Sequence, residues 1–167
     1  MASTGVSLRT SRRAAVLAAA PDAAWRVVAG AGPGRHWYVD AAPFVFRGAI
    51  DRALLGRGRR WPVPDVPLLR AGDRAGFWEV RAAGSRPGGH RLVLEAAVRA
   101  PGRVRLTVLV TAVGDGCEVD LAVRFDPDGV LGAAYLVTDL AARQVLTELV
   151  HRRLVAEVAG ARHTSGA

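Results

Sequence analysis

Between Trp78 and Phe125 the chain alternates apolar and polar residues with a period of two, the mark of half-buried β-strands. Trp78, Val80 and Ala82 point one way, with Glu79 and Arg81 opposite. After a turn at Gly88-Gly89, Leu92, Leu94, Ala96 and Val98 share a face while Arg91, Glu95 and Arg99 share the other. Pro101-Gly102 turns the chain again, and Val104, Leu106, Val108 and Val110 then oppose Arg105, Thr107 and Thr111. Past Gly114-Asp115-Gly116, Val119, Leu121, Val123 and Phe125 oppose Glu118, Asp120 and Arg124. This is the pattern of an antiparallel meander with one dry and one wet face, and the dry face has to be covered.

The rest of the chain supplies the cover. From Gly129 to about Ala159 the period becomes helical, with Leu131, Tyr135 or Ala134, Thr138, Ala142, Val145, Leu149 and Leu154 down one side, so a long final helix is expected over the sheet. Ahead of the meander, Arg12 to Ala20 reads as a first strand. Pro21 suits the first turn of a helix, Asp22 complements its positive end, and Trp25 with Val28 gives it an apolar face until Gly30. A second short helix is expected in PFVFRGAIDRALLG, with Phe46, Ile50, Ala53 and Leu54 on one face and Arg47 and Asp51 on the adjoining one. GRGRRWPVPDVP then breaks regular structure. The order predicts an α+β fold: a curved antiparallel sheet wrapped around a long C-terminal helix, with two short helices after the first strand. Residues 1–9 and 160–167 read as disordered tails around a single domain at 10–159, and a 167-residue chain is long enough for one real core.

Composition removes several kinds of chemistry. All 23 basic residues other than histidine are arginine, so no lysine Schiff base, lysine general base or P-loop lysine exists. The absence of lysine and asparagine and the single isoleucine, Ile50, match GC-rich coding, which discounts the net charge of +8 as a functional signal. One cysteine, Cys117, excludes an internal disulfide and makes a reducing cytoplasm the simplest home. Paired arginines ahead of AAVLAAA resemble a twin-arginine export signal, but the apolar run is short and the sequence after it reads as a helix. No apolar run approaches the ~20 residues that cross a bilayer. His36, His90, His151 and His163 lack ligand spacing, so no metal is expected. Gly30, Gly32 and Gly34 follow a helix rather than a strand, so the dinucleotide fingerprint fails.

The element order, together with particular residues, resembles the helix-grip fold of the START-related (SRPBCC) superfamily, which includes lipid-transfer domains, plant ligand-binding allergens and aromatic polyketide cyclases. Within it, the chain is similar to a bacterial family of unknown function sometimes joined to short-chain-dehydrogenase-like domains. The residues that carry the likeness are Trp37-Tyr38, Arg47-Gly48 with Asp51-Arg52, Gly58-Arg59-Arg60, Gly72-Asp73 with Phe77-Trp78-Glu79-Val80, Glu95 with Pro101-Gly102-Arg103, and Phe125-Asp126-Pro127 with Gly129, Gly132 and Tyr135. In the last helix the likeness fades: the family pattern has a tryptophan after the tyrosine and later a proline and a histidine, whereas this chain has Leu136 and TDLAARQVL. The resemblance implies a fold and a cavity between sheet and long helix, with a ligand preference of its own.

Function follows as an expectation from the apolar inward face. A cavity lined by Trp78, Leu94, Leu106, Val108, Leu121 and Phe125 from the sheet, and by Leu131, Thr138 and Ala142 from the last helix, takes an apolar, ring-bearing molecule. The segment from Gly32 to Pro62 holds two of the four tryptophans, one of the two tyrosines and six arginines. It is read as lid and mouth, with Trp37, Tyr38 and Phe46 as walls and Arg47 with Asp51 as polar contacts. His36, Asp40, Tyr135 and Asp139 are the candidate proton-moving groups. The expected activity is cofactor-free cyclisation, dehydration or isomerisation of a polyketide- or aromatic-type metabolite in bacterial secondary metabolism; the alternative is a carrier with the same cavity. A homodimer is compatible with either. Arg57, Arg59, Arg60 and Trp61 supply the charge and ring of a nucleic-acid or acidic-protein surface, the least favoured reading, because the other arginines are spread along the chain.

Overall fold

The computed structural model describes residues 6, 7, 9–31, 36–40, 64–97, 102–130 and 140–164. Its strands are β1 (Val6–Ser7), β2 (Thr10–Leu17), β3 (Arg74–Ala75), β4 (Trp78–Arg86), β5 (Gly89–Ala96), β6 (Gly102–Val113) and β7 (Gly116–Pro127); its helices are α1 (Pro21–Val28), α2 (Trp37–Asp40) and α3 (Leu140–Thr164). The strands form one seven-stranded sheet in the order β1-β2-β7-β6-β5-β4-β3, every neighbouring pair antiparallel. With α3 laid against it, this is the helix-grip arrangement of the α+β class. The edge strands β1 and β3 are only two residues long, pairing with Thr10–Ser11 of β2 and Trp78–Glu79 of β4.

Register turns the sequence pattern into two faces. Val80 pairs with Leu94, Leu94 with Leu106, Leu106 with Val123, and Leu92 with Val108 and onward to Leu121. These rows are at most 3% exposed and form the core together with Ala24, Trp25, Val28, Val150, Leu154 and Val158 of the helices. The turn into β5 is made by Pro87-Gly88, with Gly88 at φ 82, one residue earlier than the glycine pair suggested. At Gly116, which starts β7, a Cβ would lie 2.2 Å from the Leu17 carbonyl oxygen, so only glycine lets β7 approach β2 there.

Several sequence expectations shift. Val6–Ser7 pairs with Ser11 and Thr10, inside the stretch read as a tail, and α3 runs on to Thr164 rather than ending near Ala159. Ala82 does not join Trp78 and Val80 on the inward face: a bulge after Val80 sets Ala82 opposite Val93 and Ala83 opposite Leu92, because one extra residue is absorbed on β4. His90 is not in a turn but within β5, stacked on Trp25 at 5.0 Å and bonded through Nε2 to Asp22 Oδ1 at 2.9 Å, which clamps α1 to the sheet. The largest correction concerns α3. Val145 is 60% and Leu149 46% exposed, and Ala142 is also exposed, while Arg143, Thr147, Val150, His151, Leu154 and Val158 face the sheet. Apolar residues lie all round this helix, so periodicity alone leaves its rotation open. Arg13, on the inward row of β2, reaches Glu148 at 2.7 Å and helps settle it.

Candidate functional site

The expected site lies at the inward face of the sheet beneath α3, where the polar ends of three rings are used by the fold itself. Trp37 and Tyr38 are fully buried on the short helix α2. Trp37 Nε1 donates to the Val28 carbonyl at 3.1 Å, Tyr38 Oη to the Gly30 carbonyl at 2.7 Å, and Trp78 Nε1 to the Tyr38 carbonyl at 2.8 Å. Three rings thereby tie α1, α2 and β4 together, and Trp37 meets Tyr38 edge to face at 5.5 Å. All three rings are at most 2% exposed and belong to the core. The end of α1 is held in the same region: Leu69 N donates to the Ala29 carbonyl at 2.8 Å, and a Cβ on Gly30 would sit 2.6 Å from the Arg26 carbonyl oxygen, so a side chain there would push the connection apart.

Of the expected wall residues of the sheet, Trp78, Leu94, Leu106, Val108 and Leu121 come together in one core cluster, whereas Phe125 is buried apart from it. Trp78, Leu94, Leu106, Val108, Leu121 and Phe125 are each no more than 2% exposed, and the register places all but Trp78 and Phe125 in the central inward rows. His36 is half-buried and stacks on Tyr38 at 5.2 Å, its carbonyl accepting from Val39 N at 3.0 Å. Asp40 ends α2, and its side chain lies outside the described residues. Phe46, Arg47, Asp51, Leu131, Tyr135, Thr138 and Asp139 lie outside them too, as do Arg57, Arg59, Arg60 and Trp61. Ala142 is turned away from the sheet.

Inside this apolar face runs a polar seam, of which the sequence reading missed Thr147, His151 and Ser11. Arg143, Thr147 and His151, spaced four apart on α3, are 4%, 0% and 7% exposed, and Ser11 on β2 is 1% exposed. Thr147 Oγ1 donates to the Arg143 carbonyl at 2.7 Å. Ser11 Oγ and His151 Nε2 are buried with no hydrogen-bond partner. Burial holds the His151 imidazole below its ordinary value, with Arg13 adding to the lowering, against the Val119 backbone and the carboxylates of Glu148 and Asp120. The four-residue spacing was the available signal, but a polar stripe normally marks the wet side of a helix.

The convex face is a web of paired charge. Glu95 accepts from Arg81 Nη2 at 2.8 Å and Arg105 Nη2 at 3.0 Å, and both bonds hold its carboxyl below the usual range. These two arginines, rather than Arg91, are its partners. Arg124 lowers Asp126 in the same way, and Arg12 forks onto Asp120 at 2.7 and 2.5 Å. Among the described residues no three His, Cys, Asp or Glu gather as a metal site, and no helix is long and apolar enough to cross a membrane.

No protein-family profile matches the chain, and no curated protein does. Among solved structures, a Rhodobacter sphaeroides protein from a structural-genomics consortium aligns with 96% of this chain and 99% of its own at 19% identity and a TM-score of 0.52. A Mycobacterium smegmatis protein aligns over 99% and 98% of the two chains at 14% identity and a TM-score of 0.49, and a Micromonospora echinospora protein over 96% and 94% at 14% and 0.40. At such identity the first of these is a likeness of fold alone: an antiparallel sheet gripping a C-terminal helix, as built here.

Proposed function

We propose that this chain is a START-related binding protein of the cytoplasm that encloses a small hydrophobic metabolite of polyketide or aromatic type between the sheet and α3, and promotes its cyclisation, dehydration or isomerisation without a cofactor. One observation carries the reading: a continuous inward face of Leu92, Leu94, Leu106, Val108, Leu121 and Val123 is closed over by helices and edged by the Trp37, Tyr38 and Trp78 rings, the kind of apolar, ring-lined setting in which small molecules are held. The enclosure would orient a flexible chain for ring closure, and much of the barrier to such a reaction is orientation. His36, Asp40, Tyr135 and Asp139 are assigned to proton movement, with Phe46, Arg47, Asp51, Leu131 and Thr138 around the ligand.

Mass spectrometry of small molecules carried through purification tests the binding half of the proposal. An apolar ring-bearing compound released on denaturation is the expected result, and a protein that stays empty through incubation with a panel of aromatic polyketides rejects it. Catalysis is then tested with His36→Ala and Tyr135→Phe: product formation falls by about 100-fold or more with affinity little changed. If neither variant loses turnover, His36 and Tyr135 do not move the protons; if no turnover exists while binding persists, the chain is a carrier.

A further inference from the structure

We propose that His151 recognises a hydroxyl group on the bound ligand, so that the ligand is a phenol- or enol-bearing aromatic compound rather than a pure hydrocarbon or an acid. The inference rests on the reading that a hydrophobic molecule lies beneath α3. His151 is 7% exposed on the inward face of the helix, among Val150, Leu154 and the β7 row of Val119 and Leu121. Among the described residues its Nε2 is buried without a hydrogen-bond partner, although the ring also meets the Val119 backbone, and a buried polar atom left so calls for an explanation.

The neighbours are committed elsewhere. On α3, Thr147 gives its proton to the Arg143 carbonyl, and Glu148 accepts from Arg13 at 2.7 Å and Arg152 at 2.6 Å. From β2, Arg13 is taken by that same Glu148; from β7, Asp120 is held by Arg12, and Cys117 is a buried thiol that burial keeps protonated. α1 buries only Ala24, Trp25 and Val28. Ser11 Oγ is also without a partner, but it sits two inward positions along β2 from Ala15, the residue level with Val119, and so belongs to another part of the seam.

The chemistry of the missing group follows from the surroundings. Burial keeps His151 neutral with one ring N–H, for which the Val119 backbone carbonyl is the acceptor, so the unpartnered Nε2 is left as an acceptor that a ligand hydroxyl can donate to. A neutral imidazole gives a carboxylate no charge to meet, and an ammonium would face Arg13. A hydrocarbon would leave the nitrogen as it is.

Naphthol and naphthalene, equal in shape but for the hydroxyl, separate the ideas. The wild-type chain is expected to bind naphthol at least about tenfold more tightly, because a buried group built to meet a hydroxyl rejects the analogue lacking it. In His151→Leu that preference disappears while naphthalene affinity stays within about twofold. His151→Gln, which keeps a polar terminus, restores part of the preference and guards against a folding defect in the leucine variant. The nitrogen NMR signal of His151 Nε2 moves on adding naphthol and not on adding naphthalene. A preference retained in His151→Leu, an unmoved Nε2 signal, or equal binding of the two probes overturns this inference and leaves the hydrophobic site standing. Binding of neither probe overturns both.

Discussion

A single ring nitrogen shows how much of the interior is settled by hydrogen bonds rather than by grease. Trp37 is fully buried, and its Nε1 is the partner of the Val28 carbonyl at the end of α1. Trp37→Phe keeps most of the ring and removes the donor, leaving that carbonyl unpaired; the expected loss is about 1–3 kcal/mol. It is measured as a lower denaturant midpoint with an unchanged slope, and a midpoint equal to wild type would contradict the arrangement. The clustering of rings near Trp37 and Tyr38 was legible in the sequence. Where their polar ends go was not, because the accepting carbonyls lie 9, 8 and 40 residues away and are brought near only by packing. Glu95 shows the same limit: its place on the wet face could be read from alternation, but its partners Arg81 and Arg105 depend on cross-strand register.

At the scale of elements, strands were easier to read than the helix because their period leaves two faces to choose between, and the turns mark the ends. Even so, the bulge after Val80 moves Ala82 off the inward face, and no composition signal announces one extra residue. For α3 the choice lay among several nearly equivalent stripes. The stripe that faces the sheet contains Arg143, Thr147 and His151, which a hydrophobic count assigns to water. The rotation can be checked with neighbouring residues. Val150→Ala removes buried methyls and is expected to cost about 1–3 kcal/mol, whereas Leu149→Ala, on the open side, stays within about 0.5 kcal/mol of wild type by thermal melting. The reverse order would mean that the helix is turned as periodicity first suggested.

For the whole molecule, acidity acts in two windows. His151 has a folded value lowered by burial, so below the unfolded histidine value of about 6.5 the unfolded chain takes up a proton that the native one refuses. Stability is therefore complete above that pH and falls as pH drops toward the folded value. Glu95, Asp126 and Glu148 are also lowered, by arginine bonds, and their contribution is complete above the ordinary carboxylate range near about pH 4 and is lost as pH falls through their lower folded values. Melting temperature followed from about pH 8 to about pH 3 should show both declines, the first absent from His151→Leu; a single decline in the wild type would remove the imidazole from the account.

The neighbour order of the sheet also has a temporal side. Each of β4 to β6 meets the next strand across a short connection, but β2 lies beside β7, and the Arg12–Asp120 pair spans 108 positions. Closing so long a loop costs only logarithmically more than closing a short one, so the effect is on when rather than whether. On the ribosome, the strand synthesised near the start has only the two residues of β1 to pair with until almost the entire meander has emerged, and the amides that β7 will take stay open to whatever else is at hand throughout that wait.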